Sequence, residues 1–196
     1  MFRSKLTSRA LLVLVASLGL AFLVTASPAS AAPAETHCAT QVGTAPGKAL
    51  APTRCFSSFD ESIAFATGGR AHLSNATASR HVSAAELGQS DASTSPSVPL
   101  TNYVLSIVYK SANYGGSTYD FYASGVCGSW QVGSMPSGWN DAIRSLANYS
   151  GCAATLYQNG GFGQPVYDTG VDASVPSLGG FNGTSCIKWC TYFGCT

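Results

Sequence analysis

Three kinds of hydrophobic spacing follow one another along the chain. The first is an apolar run from Ala10 to Ala26, behind Arg3, Lys5 and Arg9 and ahead of Ala29-Ser30-Ala31. A basic head, an apolar stretch and a small-residue cleavage pattern predict a secretory signal peptide over residues 1–31 rather than a membrane span. The second is a helical period. Phe59, Ile63 and Ala66 stand at i, i+4 and i+7, behind Ser58-Phe59-Asp60-Glu61 and ahead of Gly68-Gly69. The S-x-x-E order predicts a capping box and a helix over about 58–67 that ends at the glycines. Arg70-Ala-His-Leu-Ser74 reads as a short strand after it. The third begins at Thr101, where β-branched and aromatic runs alternate with turn residues. Tyr103–Tyr109 leads into Ser-Ala-Asn-Tyr-Gly-Gly, and Cys152–Tyr157 leads into Gln-Asn-Gly-Gly-Phe-Gly. Both predict strands closed by hairpin turns.

The chain therefore divides into a mainly β domain over 101–196 and a small helix-containing segment over 32–100. That segment ends in the linker-like "SDASTSPSVPL". It is too small to hold a core of its own, so it either docks on the β domain or is removed as a pro-segment.

The β domain repeats itself. Tyr109 matches Tyr157 and Tyr114 matches Phe162, while Asp141–Leu146 matches Asn182–Ile187. The second copy has the shorter middle. Copy one spans about 103–150 and copy two about 151–190. Short strands with frequent turn signals favour a two-sheet β-sandwich or barrel.

Each copy resembles the Greek-key motif of the βγ-crystallin superfamily: an aromatic, four residues, an aromatic, one residue, then Gly. Copy one has it complete as Tyr109-Lys-Ser-Ala-Asn-Tyr114-Gly-Gly116. Copy two reads Tyr157-Gln-Asn-Gly-Gly-Phe162-Gly-Gln164, with Gln where the motif has Gly. The motif Gly takes a backbone conformation awkward for a residue with a Cβ, so Gln164 implies local strain or a shifted hairpin. The resemblance covers about residues 101–190. It implies a βγ-crystallin-like two-sheet Greek-key sandwich, with the two rings of each hairpin folded onto each other. With its leader and its "CFSSFDESIAFATGG" helix, the whole chain is similar to secreted actinobacterial proteins. Relatives of that type include metalloproteinase inhibitors and killer-toxin-like proteins.

Seven cysteines in a secreted chain read as a disulfide framework with one thiol left over. A Cys38–Cys55 bridge would tie the first extended segment to the helix start. A Cys127–Cys152 bridge would close a loop of about 25 residues, worth roughly 3 kcal/mol in the chain-entropy model. Cys190 and Cys195 would make a terminal clip and leave Cys186 a buried thiol, in the place where the family usually has Ser. The spacing alone leaves the pairing among Cys186, Cys190 and Cys195 open. Ten basic residues face nine acidic ones, three of the basic ones lie in the leader, and no basic run exists. Electrostatic binding of nucleic acid or of anionic lipid has no footprint here.

Calcium is the candidate chemistry that the resemblance brings. Calcium-binding members carry N/D-N/D-x-x-S/T-S in each copy, the two loops sit together, and the fifth-position hydroxyl is a ligand. Here Asn140-Asp141-Ala-Ile-Arg144-Ser145 has Arg in that position. Phe181-Asn182-Gly-Thr-Ser185-Cys186 keeps the hydroxyl but loses the first oxygen. Guanidinium offers donors only. Asn140, Asp141, Asn182 and Ser185 thus form degenerate loops with one carboxylate between them, from which binding no tighter than about millimolar is expected. The competing reading makes both loops plain strand-entry turns, with Asp141 paired to Arg144 or capping amides. No cofactor is required on either reading.

Enzymatic signals are weak. No H-E-x-x-H or G-x-S-x-G is present, and His37, His72 and His81 lie outside the repeat, where such residues are usually solvated. Trp130, Trp139 and Trp189 serve either as interface anchors or as core. The loop "VGSMPSGW" and its shorter equivalent "DASVPSLGG" are the candidate recognition loops, together with segments pinned by Cys127–Cys152. These readings converge on a secreted, monomeric, non-enzymatic binding protein with an extracellular protein partner, a protease in the leading version. The alternatives are a structural or stress-related crystallin-like protein with vestigial calcium binding, and a secreted toxin.

Overall fold

The computed structural model describes residues 34–43, 51–74, 76, 78–89, 102–181, 183–192 and 195, which belong to one compact unit. The predicted leader and most of the predicted linker lie outside them. The chain is mainly β, in two sheets. Strands β1 (His37–Gln41) and β2 (Arg54–Phe56) precede helix α1 (Phe59–Ala66). Then follow β3 (Tyr103–Tyr109), β4 (Thr118–Ala123), β5 (Trp130–Val132), β6 (Ser145–Asn148) and β7 (Ala153–Gln158). Strands β8 (Gln164–Asp168), β9 (Ser174–Val175) and β10 (Cys186–Cys190) complete the chain. One sheet runs β2-β1-β4-β3-β6-β9 and the other β5-β10-β7-β8. Each repeat thus gives one strand to the sheet built mainly by the other: β5 leaves copy one, and β9 leaves copy two. That exchange makes the two Greek keys one sandwich.

Both faces of the larger sheet are buried, and for this reason β3 and β4 show no polar alternation. Leu105, Val108, Phe121 and Leu146 face the smaller sheet, where they meet Leu156, Ile187 and Trp189. Val104, Ile107, Tyr109 and Ala147 face the other way, against Phe59, Ile63, Leu73, Val82 and Leu87 of the N-terminal segment. Strand β1 also extends the larger sheet, lying parallel to β4 with His37 opposite Thr118 and Gln41 opposite Tyr122. The segment therefore covers a whole sheet face and one sheet edge. A buried polar chain joins the two sheets. Trp189 Nε1 donates to Ser106 Oγ (2.6 Å), Ser106 donates to Asn148 Oδ1 (2.5 Å), and Asn148 Nδ2 donates to Thr169 Oγ1 (2.6 Å).

Disulfides join Cys38 to Cys55, Cys127 to Cys152 and Cys190 to Cys195, and Cys186 is a buried free thiol. Tyr109–Tyr114 and Tyr157–Phe162 each pair at 5.5 Å in an edge-to-face manner. Gly116 has φ +78°, and a Cβ there would meet Ser111 Oγ at 2.8 Å, so copy one needs its glycine. Gln164 avoids that conformation. It is already a strand residue with no positive φ, and the β7–β8 register shifts between Leu156 and Tyr157.

Several local expectations are corrected. Ser58 is the N-cap of α1, but its side chain makes no capping bond. The Asp60 amide finds the Ala76 carbonyl instead (3.0 Å), a tertiary partner that local sequence cannot show. Residues 70–74 form no strand. Ala71 and Leu73 are buried there, and the Asp60 carboxylate accepts from the Leu73 amide. His37 is fully buried against Phe59 rather than solvated.

Candidate functional site

The two repeat loops meet. Gly138 and Asp141, both with positive φ (77° and 57°), fold the chain ahead of β6 into a turn. The Asp141 amide donates to the Thr184 carbonyl (3.0 Å), the Met135 amide to the Ser185 carbonyl (2.8 Å), and the Ser185 amide to the Tyr157 carbonyl (2.8 Å). The first two bonds lock the closing loop of copy one against that of copy two, and the third ties the copy-two loop to its own strand β7. Between them lies an open depression of about 360 Å³ lined by Asn140, Asp141, Gln158, Asn159, Gly183 and Ser185. Its walls offer hydroxyl, amide and carboxylate oxygens and a single formal charge, that of Asp141.

This pairing changes the meaning of Arg144. The Arg144 amide donates to the Tyr109 carbonyl (2.8 Å), and the Leu178 amide donates to the Arg144 carbonyl (2.9 Å). Those bonds mirror the ones made by Ser185, so Arg144 holds the equivalent place in the opposite, pseudo-symmetric loop pair. The loop of copy one is completed by Ser185 from copy two, and Arg144 is not part of its lining. The guanidinium folds back instead, with Nη1 donating to the carbonyls of Asp141 (2.9 Å) and Ile143 (3.1 Å). Nor is Asp141 ion-paired to Arg144. Its carboxylate accepts from Asn140 Nδ2 (2.6 Å). Of the four residues singled out in sequence, Asn140, Asp141 and Ser185 line one depression, and Asn182 lies outside the described residues.

The donor set suits a hard cation in kind, since every lining polar group carries an oxygen. It suits one poorly in charge, since one carboxylate is present and one of its oxygens is engaged by Asn140. Gln158 and Asn159 belong to the site as well. Sequence could have marked them only through the hairpin turn, where Asn159 takes φ 67°.

The candidate recognition loops are anchored in the core by individual side chains, while most of "DASVPSLGG" stays exposed. Met135 and Trp139 of "VGSMPSGW" are core residues, as is Leu178 of "DASVPSLGG". Trp189 is fully buried, and Trp130 lies half-buried against the same core. Trp139 and Trp189 therefore serve the core, and Trp130 keeps partial exposure.

A second polar cluster lies under α1. Asp120 of β4 is fully buried and accepts a hydrogen bond from Ser62 Oγ of the helix, while its other oxygen has no partner among the described residues. Burial outweighs the Ser62 bond and raises its pKa to about 7. Tyr109 and Tyr149, whose hydroxyls donate to the Arg80 and Val82 carbonyls, are raised too, mainly by burial. Among the described residues, no three His, Cys, Asp or Glu side chains gather as a metal-binding group, and no helix is long and apolar enough to cross a membrane.

Among solved structures, the fold is similar to a βγ-crystallin domain from Clostridium beijerinckii at 19% identity, covering 44% of this chain and 98% of that chain, with a TM-score of 0.34. It is also similar to a βγ-crystallin from an archaeon, at 22% identity over 43% of this chain and 95% of that chain, with a TM-score of 0.34. The N-terminal domain of protein S compares at 22% identity over 43% and 93%, with a TM-score of 0.33. No curated protein sequence matches the chain. Over residues 108–169, from the end of β3 to just past β8, the chain is similar to peptidase inhibitor family I36, whose sequence profile matches that stretch.

Proposed function

We propose that the protein is a secreted inhibitor that binds an extracellular peptidase and acts by occupying it, not by catalysis. The observation that carries this reading is the match to peptidase inhibitor family I36, because it falls on strands that build both sheets of the sandwich. Three disulfides suit an oxidising compartment. The test is titration of the purified protein into a thermolysin-type metalloendopeptidase and a serine endopeptidase, each cleaving a fluorogenic peptide. Stoichiometric loss of one activity at micromolar protein is expected. Full activity of both would remove the reading.

A second reading rests on the depression between the loops: it takes one calcium ion per domain, weakly. Asn140, Asp141 and Ser185 would hold the ion, aided by the Gln158–Asn159 turn. With one carboxylate the expected dissociation constant is about millimolar. Calorimetry checks this, and a micromolar constant contradicts it.

A further inference from the structure

Four large apolar side chains are exposed among the described residues: Val126 (54%), Val171 (46%), Phe181 (47%) and Tyr192 (55%). Three of them sit on backbone tied to one covalent hub. Val126 immediately precedes Cys127, which is bonded to Cys152. Val171 precedes Asp172, whose amide donates to the Cys152 carbonyl (2.8 Å). Tyr192 lies inside the Cys190–Cys195 clip, and the Cys190 carbonyl is 3.1 Å from Cys127 Sγ. Scattered apolar residues are ordinary on a protein surface, so what singles these three out is the shared hub that their backbones join. The fourth, Phe181, stands apart and packs on Tyr167.

The loop that carries Val126 is held rigid. The Trp130 indole lies beneath Gly125 and Gly128, and its Nε1 donates to the Val126 carbonyl (3.0 Å). The Cys127 amide donates to the Ser150 carbonyl (3.1 Å). A side chain presented on a backbone held in place binds with a smaller ordering cost, which favours tight occupation of a cleft. The residues flanking Val126 and Tyr192 are uncharged (Ser124, Gly125, Gly128, Ser129 and Thr191), whereas Val171 is followed by the exposed, charged Asp172. The Asp172 carboxylate is committed to the Gly151 amide (2.8 Å). The matched stretch 108–169 contains the Val126 loop and both cysteines of the hub.

We propose that this two-disulfide end of the sandwich is the docking face, and that it seats Val126, with Tyr192 and Val171 beside it, in an apolar, uncharged pocket of the target peptidase's cleft. This rests on the inhibitor reading above, and it adds the surface and the chemistry of its complement. The experiment measures inhibition constants of the full-length secreted protein against a peptidase that it inhibits. The variants are Val126→Asp, Val126→Ser, Tyr192→Ser and the distant control Phe181→Ser, with thermal unfolding of each as a check on folding. A charge forced into an apolar pocket should weaken inhibition more than about tenfold for Val126→Asp. Val126→Ser and Tyr192→Ser should each weaken it measurably, and Phe181→Ser should leave it unchanged. If the unsubstituted protein inhibits but Val126→Asp and Tyr192→Ser inhibit equally well, the docking face is wrong and the inhibitor reading survives. If the unsubstituted protein inhibits no peptidase, the inhibitor reading fails and this face falls with it. Sedimentation showing a dimer that Val126→Asp dissociates would assign the face to self-association and overturn the proposal.

Discussion

Asp120 should make the folded protein less stable as pH rises through neutrality, against the usual direction for a carboxylate. Its ordinary value of 3.8 is raised to about 7 because the side chain is fully buried between β4 and α1 and the Ser62 bond only partly compensates. Between those two values the folded chain keeps a proton that the unfolded chain has lost, so stability declines with pH across that window. The stabilisation is complete below 3.8 and gone above about 7. The slope is about 1.4 kcal/mol per pH unit, and the total reaches roughly 4 kcal/mol. The perturbation is Asp120→Asn, which cannot ionise. Its amide oxygen can still accept from Ser62, and an amide N–H left unpaired would cost about 1–3 kcal/mol at every pH. The informative quantity is thus the slope rather than the offset. Urea unfolding of both proteins should be followed from pH 4 to pH 8. His37, on the same face of the sheet by register, is present in both, so its contribution largely cancels in the difference. A wild-type stability that falls by several kcal/mol more than that of the variant is expected. Parallel curves would show that Asp120 is ionised in the fold and would refute the reasoning.

Ile63→Ala, under the helix, should cost about 2–5 kcal/mol because Ile63 is fully buried against the sheet, and urea midpoints at fixed pH check it. A chain beginning at residue 102 should bind a hydrophobic dye and lose its sharp unfolding transition. It would expose the face now covered by Phe59, Ile63, Leu73, Val82 and Leu87, each worth about 1.5–3 kcal/mol on burial. Adding the separately produced segment 34–89 should restore the transition. In calcium calorimetry, Ser185→Ala should remove the weak binding while Arg144→Ser leaves it within about twofold, because Ser185 lines the depression and Arg144 does not. A large gain in affinity from Arg144→Ser would return Arg144 to the site.

The repeat, the two aromatic hairpins, the strand-rich class and the buried helix face of Phe59, Ile63 and Ala66 were legible in the sequence. They depend on residues close together in the chain, where spacing fixes which side chains share a face. Arg144 shows where that information ends. In sequence it interrupts the Asn140–Asp141 loop, but in space that loop is completed by Ser185, more than forty residues away, through the exchange of strands between repeats. The S-x-x-E order of α1 likewise gave the helix start but not its partner, since a tertiary carbonyl reached the Asp60 amide first. The N-terminal segment is the larger case. Its polarity pattern reads as a minor appendage, yet β1 joins the sheet in parallel and α1 covers a face that β3 and β4 cannot leave in water. Local periodicity by itself determined which elements form. Which loops share a site, which cysteines lie at one hub and which apolar side chains remain outside were decided by packing between distant parts of the chain.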